Sequence, residues 1–168
     1  MRVALTGTPG TGKTTVAGRL EVDLEVVHLG DVIAEAGLES GRDSVRETAV
    51  VDLDGLRRAT AGREDVLFES HLSHYLDVDR VIVLRCHPST LETRLRGRGF
   101  TERSIRENAE SEALDVIVTE AVERHGREAV YEIDTTERAI ETVVDEVTEA
   151  IRGEREPAVG TVDFTAYL

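Results

Sequence analysis

The sequence predicts a doubly wound α/β domain: a five-stranded parallel sheet, helices on both faces, and a phosphate-binding loop after the first strand. Three observations carry this. Short β-rich runs alternate with helical stretches up to about residue 152 of the 168-residue chain. The runs are nearly continuous in apolar residues, as strands covered on both faces must be, rather than strictly alternating. Between the first run and the first helix lies Gly7-Thr8-Pro9-Gly10-Thr11-Gly12-Lys13-Thr14, which fits G-x-x-x-x-G-K-[ST].

The five strands are expected at RVALT (2 to 6), EVVHL (25 to 29), VLFES (66 to 70), RVIVLR (80 to 85) and AVYEI (129 to 133). The clearest helix runs over 135 to 152, where Ala139, Ile140, Val143, Val144, Val147 and Ile151 recur at i, i+3, i+4 behind Asp134, a cap with Glu137 three residues on. A second long helix is expected from about 101 to 125, with Gly126 as its stop. Residues 31 to 62 are interrupted by Gly37, Gly41 and Gly62 and read as a small mobile insertion beside the sheet, with 50 to 61 able to form a helix. Beyond Gly153, Pro157 and Gly160 end the helical periodicity, so 153 to 168 reads as a tail or extended arm, and 1 to 152 as one domain.

Composition narrows the function. No apolar stretch approaches the roughly 18 residues of a membrane span, and the first strand is too short for a signal peptide, so a soluble, cytoplasmic, monomeric protein is expected. One cysteine, Cys86, excludes an internal disulfide or a multi-cysteine zinc site, and its place at a strand end reads as burial. Net charge of −14, from 34 acidic against 20 basic residues, argues against a bare cationic surface for nucleic acid. The acids are spread over amphipathic helices as a solvated coat, and Lys13 is the only lysine. Such a surface suits concentrated salt, which screens its self-repulsion.

The position of that lysine has a chemical reason. Glycines at 7, 10 and 12 let the backbone turn its N–H groups inward, forming an anion nest backed by a helix N-terminus. Lys13 can reach the β- and γ-phosphates of a nucleotide as a mobile point charge, and the Thr14 hydroxyl can ligate its Mg²⁺. A guanine-reading N-K-x-D element would need a second lysine, so a GTPase switch is excluded. Arg94 and Arg98 fall on one side of a helix end, followed by glycines, and could close over a triphosphate as a lid. At the end of the third strand, Glu69 could hold Mg²⁺ through water, and His71 could orient a water or hydroxyl. His28, His87 and His125 show no partner pattern.

GTPGTGKTT (7 to 15), HLGD (28 to 31), VVDLD (50 to 54), ESH (69 to 71), VLR (83 to 85), RLRGRGF (94 to 100) and RENAESE (106 to 112), in this order, resemble the atypical adenylate kinase family of the CINAP-like, or isoenzyme-six, type. The resemblance spans about 2 to 150 and implies a nucleoside-monophosphate kinase fold with a monophosphate-binding segment at about 28 to 51 and a short lid at about 97 to 107. It implies Mg²⁺-dependent transfer of the ATP γ-phosphoryl group to AMP. It further implies an ATPase role in maturing the small ribosomal subunit, with a ribosomal protein and pre-rRNA as partners. By motif, the ATP contacts fall on Gly10, Gly12, Lys13, Thr14, Thr15 and Arg98, to which Thr11 and Arg94 are added. The family's Asp-x-His pair falls on Glu69 and His71, Glu reaching one methylene further. Asp31 of the GD pair is expected to face the acceptor. Ala34 stands where the family has an arginine, so Arg42 or Arg46 is expected to clamp the AMP phosphate. A pure ATPase switch, or a kinase for another small acceptor, remains open on the residues alone.

Overall fold

In the computed structural model, which describes residues 1–43 and 48–168, the apolar runs pair in parallel, the central ones buried on both faces and the edge strand over 25–28 only partly. Strand β1 (Arg2–Thr6) takes the centre of a five-stranded sheet, β2 (Glu25–His28) and β5 (Val66–Glu69) lie to one side, and β6 (Arg80–Arg85) and β7 (Val130–Asp134) to the other. The order is β2-β5-β1-β6-β7, and every pairing is parallel. Successive residues of β1 serve opposite faces. Val3 and Leu5 pack with Val16 of α1 (Lys13–Ala17) and with Val143 and Val147 of α7 (Ile140–Arg152), whereas Ala4 packs with Val118 and Ala121 of α6 (Val116–His125). A further cluster joins Val27 and Phe68 to Ile33 of α2 (Leu29–Ala36) and Leu56 of α3 (Leu53–Thr60). All five expected strands are present, to within a residue at their ends.

Three expectations need correction. Residues 39–51 contain an antiparallel hairpin, β3 (Glu39–Asp43) and β4 (Thr48–Val51), separate from the main sheet, and helices α2 and α3 flank it. The hairpin was hidden because ESGRD carries no apolar alternation.

The helix expected over 101–125 is two helices, α5 (Glu102–Ala113) and α6, broken at Asp115 with φ of 55°. The break serves Arg85. Its Nη2 donates to the Glu112 carbonyl at 2.9 Å and to Asp115 Oδ1 at 2.6 Å, so the chain wraps a buried guanidinium instead of continuing its own ladder. Asp is among the few residues that tolerate the left-handed region.

Helix α7 starts at Ile140, not 135, because Asp134 accepts from the Thr136 amide at 2.9 Å and the Thr136 hydroxyl at 2.6 Å. That local turn competes with helix, and the proposed Asp134–Glu137 cap is not formed: Glu137 has φ of 50°.

The tail is a packed arm. Glu132 N donates to Ala158 O at 2.9 Å, extending the sheet past β7, and Phe164 is buried beside Arg85, whose guanidinium lies 5.4 Å from its ring centre. The Tyr167 hydroxyl then ties the arm to Glu92 of α4 (Pro88–Gly97) at 2.5 Å.

Candidate active site

The connections leaving β1 and β5 run to opposite sides of the sheet, and this divergence opens a cleft beyond the carboxyl ends of the strands. The cleft has a volume of about 1430 Å³ and is lined by residues 9–16, by the ends of β5 and α4, and by Gly30, Ile33, Glu39 and Val51 around the hairpin. The loop between β1 and α1 forms its floor.

Two glycines make this loop possible. At Gly7, with φ of 143°, a Cβ would lie 2.4 Å from Leu84 O, so β1 and β6 could not approach as they do. Gly12, with φ of 97°, has open space around it; there the backbone conformation alone demands glycine, and it is the residue that turns the chain into α1. The first amides of α1 have no partner within the helix, and residues 12–15 line the cleft.

Lys13 is 8% exposed, and its Nζ donates to Gly7 O at 2.7 Å and Thr8 O at 3.1 Å. Burial lowers its pKa from 10.5 to about 8, opposed by the carboxylate of Glu69. An anion beside the ammonium would therefore be welcomed twice, as a partner and as a replacement for lost hydration. Thr14 and Thr15 are exposed to solvent at the loop's exit. Thr11 is buried, its hydroxyl donating to Thr8 O at 2.9 Å, while its carbonyl accepts from Thr135 Oγ1 at 3.2 Å. Gly10 O accepts from Arg94 Nη1 at 2.9 Å, which brings the arginine cluster to the loop.

Glu69, at the end of β5, is 8% exposed; its Oε1 lies 3.4 Å from the Thr14 hydroxyl, and its Oε2 accepts from His28 at 2.7 Å. A hydroxyl and a carboxylate side by side are the hard oxygen donors that suit Mg²⁺ sharing phosphate ligands. Among the described residues no group of three or more His, Cys, Asp or Glu side chains could hold a metal alone, so such an ion would rely on the nucleotide for the rest of its shell. His71 lines the same wall with an exposed edge. Desolvation in the concave wall, then the neighbouring Lys13 ammonium, hold its pKa well below 6.5, so the ring is neutral near pH 7. Arg98 caps α4 with its guanidinium 5.3 Å from the Phe100 ring centre, and it lines the cleft with Arg94.

Gly10, Thr11, Gly12, Lys13, Thr14, Thr15, Glu69, His71, Arg94 and Arg98 are thus brought to one cleft. Asp31 is not: it is exposed in the first turn of α2, outside the lining. Arg42 stands on β3 in register with Ala49, but its side chain, and all of Arg46, lie outside the described residues.

The three histidines set aside on sequence do have partners. His28 holds Glu69, His87 accepts from Ser89 N at 3.2 Å to cap α4, and His125 donates to His74 O at 2.7 Å. Sequence reasoning also missed His74, which is buried and spans Thr6 Oγ1 at 3.0 Å and Glu120 Oε2 at 2.9 Å. The carboxylate can only accept, so Nε2 carries the proton and Nδ1 accepts from Thr6, the last residue of β1. Another omission is Glu112, 2% exposed, which accepts from the Thr8 hydroxyl and from Arg85. A charged residue ending an apolar run, as Arg85 ends VIVLR, was the available signal that a buried acid must meet it.

Comparison with known proteins agrees with this geometry. A domain family described as AAA domain matches residues 3–115. A protein of Natronomonas pharaonis named "Putative adenylate kinase" is 56% identical over 100% of both chains. The proteins of that name from Halobacterium salinarum and Methanothermobacter thermautotrophicus are 54% and 44% identical, over 100% of both chains and over 99% and 98% of this chain and the relative. Among solved structures, the YorR protein of Bacillus subtilis, crystallised with phosphorylated GDP, superposes with a TM-score of 0.60 over 92% of this chain and 97% of its own, at 15% identity. With the phosphate loop at the switch point of the β2-β5-β1-β6-β7 parallel sheet and full-length similarity to these relatives, the chain belongs to the archaeal adenylate kinase family and is an enzyme with the P-loop kinase fold.

Proposed function

We propose that the protein is an adenylate kinase of the CINAP-like type, transferring the γ-phosphoryl group of ATP to AMP with Mg²⁺, that it also hydrolyses ATP, and that it works in maturation of the small ribosomal subunit. The observation that carries the kinase reading is the size and lining of the cleft. At about 1430 Å³ it exceeds the roughly 300–1,000 Å³ of a single-ligand pocket, and it runs from the phosphate loop to the α2–hairpin region, which leaves room for a second nucleotide.

In the transfer, an AMP phosphate oxygen attacks the γ-phosphorus in line; the bond to the β,γ-bridging oxygen breaks, and two ADP leave. Lys13 exchanges Gly7 O and Thr8 O for phosphate oxygens, and loop amides of 10 to 15 bind the β-phosphate. Arg98, with Arg94 beside it, neutralises charge building on the transferred group. Thr14 and Glu69 are the residues that would hold Mg²⁺, which would offset negative charge on the phosphates. In hydrolysis, the neutral ring of His71 orients the attacking water. On the acceptor side the cleft offers Gly30, Ile33, Glu39 and Val51, with Arg42 or Arg46 proposed for the AMP phosphate.

One observation favours a second reading, in which nucleotide turnover serves only as an assembly switch. Ala34, exposed on α2, leaves that helix without the arginine expected to hold the acceptor. The acidic coat of net −14 complements a basic ribosomal protein, with pre-rRNA reached through that partner. ATP consumption measured in molar salt with AMP, with other monophosphates and with water alone separates the two. Rapid ADP formation requiring AMP supports the kinase; slow turnover indifferent to AMP and accelerated by a small-subunit ribosomal protein supports the switch.

A further inference from the structure

We propose that Glu112 is a positioning residue for phosphoryl transfer: through the Thr8 hydroxyl it fixes the phosphate loop in the conformation that presents Lys13 to the nucleotide. This inference rests on the phosphoryl-transfer reading of the site and adds a residue that the loop motif does not contain.

Glu112 lies in the last turn of α5, and both its carboxylate oxygens are occupied. Oε2 accepts from Thr8 Oγ1 at 2.5 Å; Oε1 accepts from Arg85 Nε at 2.8 Å and from Cys86 N at 3.0 Å. Thr8 itself, 2% exposed, is the hub of the loop interior. Its carbonyl accepts from Thr11 N at 3.2 Å, from Thr11 Oγ1 at 2.9 Å and from Lys13 Nζ at 3.1 Å. Fixing the Thr8 side chain therefore fixes the carbonyl that orients the lysine.

Stability alone does not account for the arrangement. Arg85 is 1% exposed and also meets Glu132 and Asp115, so one guanidinium already has two other carboxylates. A third buried acid adds desolvation cost, and it stands beside a cup meant for phosphate, where negative charge is adverse. What Glu112 contributes that the other two do not is the grip on Thr8 and on the amide after β6. A loop held on a rigid strand and helix keeps its amides at the productive distance, and displacements near 1 Å can cost on the order of 100-fold in rate.

The test compares Thr8→Val, which removes the donor at nearly constant shape, with Thr8→Ser, which keeps it, and with Glu112→Gln. The glutamine keeps an oxygen for Arg85 and Cys86 but turns an amide donor toward Thr8 where the carboxylate accepted. Thr8→Val is expected to lower kcat with ATP and AMP by about tenfold or more while KM for ATP moves by less than about threefold, and Thr8→Ser to recover most of the loss. In the free protein, hydrogen exchange at the loop amides 10 to 15 should speed up in Thr8→Val and stay near the wild-type rate in Thr8→Ser, with Glu112→Gln between the two. Wild-type kcat in Thr8→Val, an equal loss in Thr8→Ser, or unchanged loop exchange in Thr8→Val would each overturn the proposal. If Thr8→Val does not fold, Thr8→Ala against Thr8→Ser decides by the same two readings. Exchange needs no acceptor, so an absence of AMP-dependent turnover would overturn the kinase reading while leaving the role of Glu112 decided by the exchange.

Discussion

At the scale of single residues, the phosphate-binding role proposed for the Lys13 ammonium carries a pH dependence. Its pKa near 8 in the free protein is set first by burial. A bound triphosphate favours the charged form, so the complex holds the proton to higher pH than the free protein does. Affinity for a non-hydrolysable ATP analogue should therefore be flat below about pH 8 and fall above it, by at most about tenfold per pH unit, until the pKa of the complex is reached. Titration calorimetry between pH 7 and 10 reads this directly, and an affinity constant through pH 9.5 would contradict the assignment. Lys13→Ala should abolish both transfer and hydrolysis. Arg98→Ala should lower turnover by roughly 10³-fold with a smaller change in ATP affinity, because its charge is needed most in the transition state. Normal turnover in Arg98→Ala would remove Arg98 from the mechanism. His71→Ala should spare ATP binding and slow hydrolysis; steady-state hydrolysis without acceptor is the measurement.

At the scale of elements, the α5–α6 break and the arm are two answers to one buried guanidinium. Arg85 ends β6 with three acidic partners and an aromatic ring packed against it, and these come from α5, the α5–α6 turn, β7 and the arm. Asp115 supplies both a charge to Arg85 and a tolerated positive φ. Asp115→Asn keeps the backbone preference and should cost less than Asp115→Ala, which loses both; the expected cost of the alanine variant is about 2 kcal/mol, below a fully buried pair because the side chain is part exposed. Denaturant unfolding of the two variants checks the order. Phe164→Ala should destabilise by about 3 kcal/mol, since the ring is buried and covers Arg85. An unchanged midpoint would mean that the arm does not contribute to the core.

At the scale of the whole molecule, charge is the dominant feature. A net −14 on 168 residues opposes folding at low ionic strength, since 34 acidic residues repel with only 20 basic residues to offset them. Screening at molar salt shortens that repulsion to a few ångströms. The melting temperature should therefore rise between low and molar salt. A flat response in a thermal melt would show that the acidic coat has another purpose. No helix among the described residues is long and apolar enough to cross a membrane.

The sequence by itself determined the parallel α/β fold and the phosphate loop, for a local reason. Buried strands must be apolar throughout, and a loop whose amides converge on phosphate must have glycine where φ is positive, so both leave marks in contiguous residues. The lone lysine and the order of short motifs were legible for the same reason. The partners of buried charges, by contrast, were decided by tertiary structure. Glu112 lies 104 residues from Thr8 and Glu69 41 from His28. Nothing at either position announces the other, because a carboxylate on a helix reads as solvated until the fold shows that water cannot reach it. The same long-range demand from Arg85 broke a helix whose periodicity runs unbroken through the sequence.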